Sequence, residues 1–267
     1  MRSLDIIVCM KPVPDPKQWG KLTLDPETML LRRGGIPAVI NPLDRNAIEQ
    51  AVALKGERGG TIRVVTMAPP DAGDQLMEAM AMGCDQAYHL TDEAFAGADT
   101  LATARCLAAA IRKMGSPDLI FCGGYSLDGS TSQVGPQIAE LLGLPDLTHV
   151  TEMEIDDAVL RAGCKTEEGS VRYETELPAL VTLDAEANRP RLASMIGLRR
   201  ATETPVVVWG AKDLGLAPAE VGLQGSPTQM QNVFTPPTGR KGEILQGTPD
   251  EMAASLLSRL HQRQISR

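Results

Sequence analysis

The residues best suited to chemistry form one run, Gly123-Gly124-Tyr125-Ser126-Leu127-Asp128-Gly129-Ser130-Thr131-Ser132-Gln133-Val134-Gly135-Pro136-Gln137. It joins an apolar segment to a helical one. Its small residues let a backbone come close to a phosphate, and amides at a helix start can meet that phosphate with N–H donors. The run is neither a Walker loop nor a GxGxxG turn, so no lysine-on-phosphate chemistry follows from it. Taken alone, such a loop is more often an ordinary connection.

A second helix start, Asp99-Thr100-Leu101-Ala102-Thr103, carries two hydroxyls one turn apart. By itself this is a plain N-cap. Two such starts at one sheet edge would suit a ligand with two phosphates. Cys9 to Lys11 and Met67 to Pro69 fall at the same kind of place, the carboxyl end of a strand, where open parallel sheets bind ligands. The five cysteines (Cys9, Cys84, Cys106, Cys122, Cys164) and three histidines (His89, His149, His261) are scattered without metal-ligand spacing. Reduced, partly buried thiols are expected, with no metal and no catalytic acid or base.

The elements that must position these residues alternate. Leu4 to Met10, Thr61 to Met67, Gln86 to Leu90 and Asp118 to Cys122 are short apolar runs of the sort buried on both faces in parallel sheets. Helices are expected between them. One starts at Asn41-Pro42, with Asn41 as cap, Asp44 at the positive end, an apolar face of Ala47, Ile48, Ala51, Val52 and Leu54, and a stop at Gly56. Others run from beyond Pro70 to Gly83, from Asp99 or Thr100 to Met114, and from about Gln133 to Leu142. Leu22 to Leu31, with Asp25-Pro26 at its middle, reads as a small hairpin. This pattern specifies an α/β fold with a largely parallel sheet. Val150 to Ile155, Val159 to Cys164 and Val171 to Thr175 then read as antiparallel strands, and Ala179 to Leu183 rejoins the sheet. From Asp213 to Gly247 there is little periodicity, so that stretch is expected to be disordered or laid across a partner. Thr248 to Gln262 reads as a capped amphipathic helix. The division expected is an α/β domain over 1–212 and an arm with terminal helix over 213–267.

Composition narrows the function. The chain has 267 residues, 43% hydrophobic and 22% charged, enough for a core without disulfides or metals. A net charge of -8 and only 3% aromatics argue against nucleic acid as a partner. No apolar run is long enough to span a bilayer, and the start does not read as a signal peptide. A soluble, cytoplasmic protein is expected.

Four ordered segments resemble the beta subunits of electron-transfer flavoproteins: IIVCMKPVPD, NPLDRNAIEQAVALK, LDGSTSQVGPQIAELLGLP and NRPRLASMIGLRRA. The resemblance covers essentially the whole chain, including Asp213 to Gly215 and the terminal helix. It implies a Rossmann-like domain of the adenine nucleotide alpha hydrolase-like type, with a C-terminal arm embracing an alpha subunit. The nucleotide pocket it implies falls on Cys9, Asn41 to Asp44, Met67 and Gly123 to Gln133, extended by Val134 and Gly135. It also makes Arg191 to Ala201 a recognition loop for partner dehydrogenases such as acyl-CoA dehydrogenase. There Met195, Ile196 and Leu198 would form an apolar knob flanked by Arg199 and Arg200; a short helix packed on its own domain is the plainer alternative.

Beta subunits of this family come in two kinds. One holds a structural AMP. The other holds FAD, takes hydride from NADH and divides the electron pair between the alpha-subunit flavin and ferredoxin. Asp99, Thr100, Thr103, Asp128, Gly129, Thr131 and Gln133 to Pro136 resemble the FAD-binding kind. Gly123, Gly124 and Ser132 belong to the same loop. Ser130 and Tyr125-Ser126 depart from the FAD pattern. FAD is the reading preferred, AMP the alternative, and a stand-alone nucleotide sensor of the stress-protein type a third.

Overall fold

The computed structural model describes residues 2–21, 23–24, 31–32, 35–229, 239 and 242–262. In chain order the strands and helices are β1 (Leu4–Cys9), β2 (Pro12–Pro14), β3 (Thr23–Leu24), β4 (Leu31–Arg32), β5 (Ala38–Ile40), α1 (Pro42–Arg58), β6 (Gly60–Met67), α2 (Gly73–Met82), β7 (Gln86–Leu90) and α3 (Thr100–Met114). They continue with β8 (Leu119–Gly123), α4 (Val134–Leu142), β9 (Asp146–Asp156), β10 (Val159–Thr166), β11 (Gly169–Glu176), β12 (Ala179–Leu183), α5 (Met195–Glu203), β13 (Val207–Trp209) and α6 (Pro249–Gln262). Two compact units are present, Met1–Gln231 and Asn232–Arg267.

Among the described residues, one sheet takes the order β11-β10-β9-β12-β8-β1-β6-β7-β13. From β9 to β13 every neighbouring pair is parallel, and β10 and β11 complete the sheet as an antiparallel extension. This is the Rossmann-like α/β architecture that the alternating runs imply.

The period of two in β1 explains its covering. Ile6 and Val8 enter one apolar cluster with Ala47, Ile48 and Ala51 of α1. Ile7 and Cys9 enter another with Cys106, Leu107 and Ile111 of α3. Each buried Ile or Val in such a strand stabilises the fold by roughly 1.5–3 kcal/mol relative to exposure. From β1 the chain builds outward through β6 to β7, then crosses by α3 to β8 on the other side of β1. The order therefore reverses between β1 and β8, and the crevice at their carboxyl ends is the ligand position that this topology favours.

Three local expectations are corrected. Helix α1 passes through Gly56 and ends at Gly59, whose φ of 75° suits glycine. Asn41 precedes α1 but makes no side-chain cap hydrogen bond, because its amide is used elsewhere. The stretch from Asp213 is not all loose: Val221 is 2% exposed, and Leu223 N donates to Ala96 O at 3.0 Å. Arg105 holds Gly225 O at 3.2 Å, and Lys113 donates to Asp213 O. This segment escaped the periodicity test because turns and single hydrogen bonds, rather than a helix or strand, seat it on α3. The first unit accordingly runs past 212. In the hairpin expected over Leu22 to Leu31, Thr23 pairs with Arg32 and Leu24 with Leu31. Its Asp25-Pro26 tip lies outside the described residues. In the second unit, Thr248 N donates to Glu251 Oε2 at 2.8 Å, the capping contact expected ahead of α6.

Candidate functional site

Asp44 is the hub of the crevice. It is only 6% exposed, on the first turn of α1. Its Oδ2 accepts from Lys11 N at 2.7 Å, and its Oδ1 accepts from Gly123 N at 3.0 Å and Asn41 Nδ2 at 3.1 Å. One carboxylate thus joins the ends of β1 and β8 to the start of α1. Burial pushes its pKa up to about 6, opposed by the hydrogen bonds from Lys11 N, Asn41 and Gly123 N and by the Lys11 charge. Residue 123 must be small, because a Cβ there would meet Asp44 Oδ1 and lie 2.8 Å from Leu43 Cβ. Asn41 reaches onward: its Nδ2 donates to Tyr125 O at 2.9 Å and its Oδ1 accepts from Leu127 N at 3.2 Å.

Beyond Leu127 the loop turns on itself. Ser130 N donates to Ser126 O at 2.8 Å, and Ser130 and Ser132 take φ values of 50° and 55°. A positive-φ residue followed by a right-handed one, as Ser132 is by Gln133, is the alternation that turns successive N–H groups to one side, a geometry that receives anions. Among the described residues, the amides of Thr131, Ser132, Gln133, Val134 and Gly135 donate to no other residue. The last of them open α4, where unpaired donors and the helix dipole add a positive field. Thr100 Oγ1 donates to Gln133 Oε1 at 3.1 Å, bringing the start of α3 to the start of α4. The Lys11 ammonium lies 2.7 Å from Asp128 Oδ1 and 3.4 Å from Ser126 Oγ, across the root of the loop.

Hydrogen bonds thus join Asn41, Asp44, Gly123, Asp128 and Ser130 into one neighbourhood, and Gln133, three residues further along the same loop, is tied to Thr100. Gly124 is tied to the end of β12 through Leu183 O at 2.8 Å. Asp99 caps α3 by accepting from Ala102 N at 2.9 Å, while its other oxygen accepts from Thr228 N at 2.9 Å. Cys9 and Cys122 meet through their thiols, and this contact, with burial, raises the Cys122 pKa well above the ordinary thiol range. Met67 ends β6 and Thr103 lies in the first turn of α3; neither side chain bonds to the loop. Sequence reasoning missed the role of Lys11 and the approach of His149, whose ring Nδ1 would lie 3.3 Å from a Cβ at Gly124. His149 is held at a φ of 53° with its amide on Thr182 Oγ1 at 3.0 Å, and nothing in its local sequence announces that.

The residues expected to dock partners lie elsewhere, on α5. Its Ser194 cap accepts from Gly197 N at 2.9 Å, and a Cβ at Gly197 would run into Ala81 O of α2. Arg200 turns back to donate to Met80 O and Cys84 O at 3.1 and 3.2 Å, where it satisfies the end of α2. Arg199 pairs along the helix with Glu203 at 3.4 Å. Met195 and Ile196 are 81% and 85% exposed, and Leu198 37%. So α5 both packs on its own domain and offers an apolar tip. Among the described residues no cluster of His, Cys, Asp and Glu could hold a metal ion, and no helix is long and apolar enough to cross a membrane.

The family model for the electron transfer flavoprotein domain matches residues 28–214. The chain is 43% identical over 97% of its length, and 99% of the relative's, to the caffeyl-CoA reductase-Etf complex subunit CarD of Acetobacterium woodii. It is 43% identical to the electron transfer flavoprotein subunit beta of Thermoanaerobacterium thermosaccharolyticum, over 98% of this chain and 100% of that one. It is 39% identical to the protein FixA of Azorhizobium caulinodans, over 98% and 95% of the two chains. With a Rossmann-like sheet and these full-length similarities, the chain belongs to the electron-transfer flavoprotein family, among its beta subunits.

Proposed function

We propose that this chain is the nucleotide-holding subunit of a heterodimeric electron-transfer flavoprotein and that its crevice holds FAD. The observation that carries the reading is the run of unpaired amides from Thr131 to Gly135, curved by Ser130 and Ser132 and opening α4. A pyrophosphate suits it better than a single phosphate, because Thr100 brings a second helix start alongside. Bound there, FAD would supply hydride acceptance from NADH and one-electron release.

The chain's own part is placement and field. The loop amides would hold the pyrophosphate, the N-termini of α3 and α4 would favour its charge, and the walls fixed by Asp44 and Asn41 would keep its position constant. The buried thiols Cys9 and Cys122 line the floor between β1 and β8 as small apolar groups. In this reading the second unit and its terminal helix contact an alpha subunit carrying another flavin, and ferredoxin accepts the second electron. The apolar tip of α5 docks a dehydrogenase such as an acyl-CoA dehydrogenase, through Met195, Ile196 and Leu198. The relative in Anaerotignum propionicum, 38% identical, is an acryloyl-CoA reductase electron transfer subunit, which supports a partner of that class.

Anaerobic mixing of the purified complex with NADH tests the proposal. Rapid bleaching of the flavin band is the expected result, with reduction of added ferredoxin once a dehydrogenase supplied with an oxidised acyl-CoA acceptor draws off the other electron. A flavin band unchanged by NADH but bleached through an acyl-CoA dehydrogenase would overturn it in favour of a structural AMP in this crevice.

A further inference from the structure

We propose that Asp44 is a positioning residue for the nucleotide and not one of its ligands: its carboxylate ties the two lips of the crevice together and so sets the affinity for the dinucleotide. This inference rests on the nucleotide-binding reading above.

The geometry places Asp44 in the wall of the crevice. Both oxygens are already taken, Oδ2 by Lys11 N and Oδ1 by Gly123 N and Asn41 Nδ2. The donors come from three separate places: the end of β1, the end of β8 and the residue before α1. Through Asn41 the same network reaches Tyr125 O and Leu127 N, at the root of the phosphate-facing loop. A buried anion in direct contact with a phosphate would repel it, whereas a buried anion that consumes the amides behind the pocket wall fixes that wall. Were the carboxyl protonated, its own O–H would compete with three N–H donors, and at least one of the ties would be lost.

Among the described residues, Lys11 and Cys122 are the charged and titratable groups that face Asp44. Lys11 projects from the end of β1 and is itself paired with Asp128 of the loop. Cys122 faces it from β8, with Cys9 behind; burial and the contact with Cys9 keep the Cys122 thiol protonated throughout the neutral range. Asp44 itself titrates near pH 6 because burial outweighs the donors. Its pKa is raised on folding, so acidification from pH 7 to 5 does not withdraw stability through this group. Loss of nucleotide without loss of fold is therefore the signature.

The test is equilibrium dialysis of the heterodimer against FAD from pH 5 to 8, with far-UV circular dichroism on the same samples. FAD suits the purpose because its pyrophosphate does not titrate there, and the flavin of the partner subunit provides a constant baseline. Wild type should bind about tenfold more weakly at pH 5 than at pH 7, one unit below the midpoint, with the spectrum unchanged. Asp44→Asn should bind at least about tenfold more weakly at pH 7 and show no dependence on pH. Asn41→Ala removes one donor from the carboxylate and should move the wild-type midpoint to higher pH, a displacement that a merely structural role would not cause. A flat wild-type profile overturns the proposal even if Asp44→Asn does not fold. So does a pH dependence that Asp44→Asn shares. If the complex holds AMP and binds no FAD, the dinucleotide reading fails by itself. The same titration with AMP then decides the role of Asp44, because the wild-type minus Asp44→Asn difference removes the ligand's own phosphate titration.

Discussion

At the scale of single residues, the pocket wall is set by contacts that leave no slack. Gly123→Ala would place a methyl against Asp44 Oδ1 and within 2.9 Å of Asp44 N, so backbone must move. A loss of about 2–3 kcal/mol in urea unfolding is expected, larger than for most small-to-large changes because the obstacle is main chain. All five thiols are buried, and burial or the mutual contact raises those of Cys84, Cys106, Cys122 and Cys164. The native chain should react with Ellman's reagent only at the rate of unfolding, and release five thiols once unfolded in denaturant. Rapid labelling of Cys9 or Cys122 in the native state would place the crevice floor in solvent. The residue types of this neighbourhood were legible in the sequence, but their partners were not. Asn41 has every local mark of an N-cap, and its real partners Tyr125 and Leu127 lie 84 and 86 residues away. Local propensity cannot see a competitor at that distance.

Elements were legible where burial imposes a period. β7 and α3 fall where alternation and capping place them, because each buries a full face and starts or stops on an unambiguous residue. β13 was not legible: three residues pairing with β7, with Val208 56% exposed, leave no pattern to read. Its place is fixed instead by the Tyr88–Trp209 ring contact at 4.9 Å and by Lys113 4.7 Å above the same indole. α5 packs one face and exposes the other. Gly197 and Ala201 face its own domain while Ile196 faces outward. Ile196→Asp should therefore leave the melting temperature within a degree or two, since exposed substitutions of this kind stay within about 0.5 kcal/mol. Under the proposed docking role the same change should slow electron exchange with a dehydrogenase partner by roughly tenfold or more, as loss of an apolar interface anchor does. Comparing melting curves with rates at subsaturating partner separates the two effects. Equal losses in both would make α5 a purely structural helix.

At the scale of the molecule, the strand order reverses between β1 and β8, and the segments that the resemblance names for a nucleotide pocket, Asn41 to Asp44 and Gly123 to Gln133, lie at that reversal. Where the first unit ends was hidden, because the segment seated on α3 carries turns in place of periodicity. The cofactor is a property of the assembled subunits, so the most direct measurement is made on them. The heterodimer is purified, denatured, and its released nucleotides are separated and counted. The account predicts two FAD per heterodimer and no AMP. One FAD with one AMP would contradict it and make this subunit the holder of a structural nucleotide.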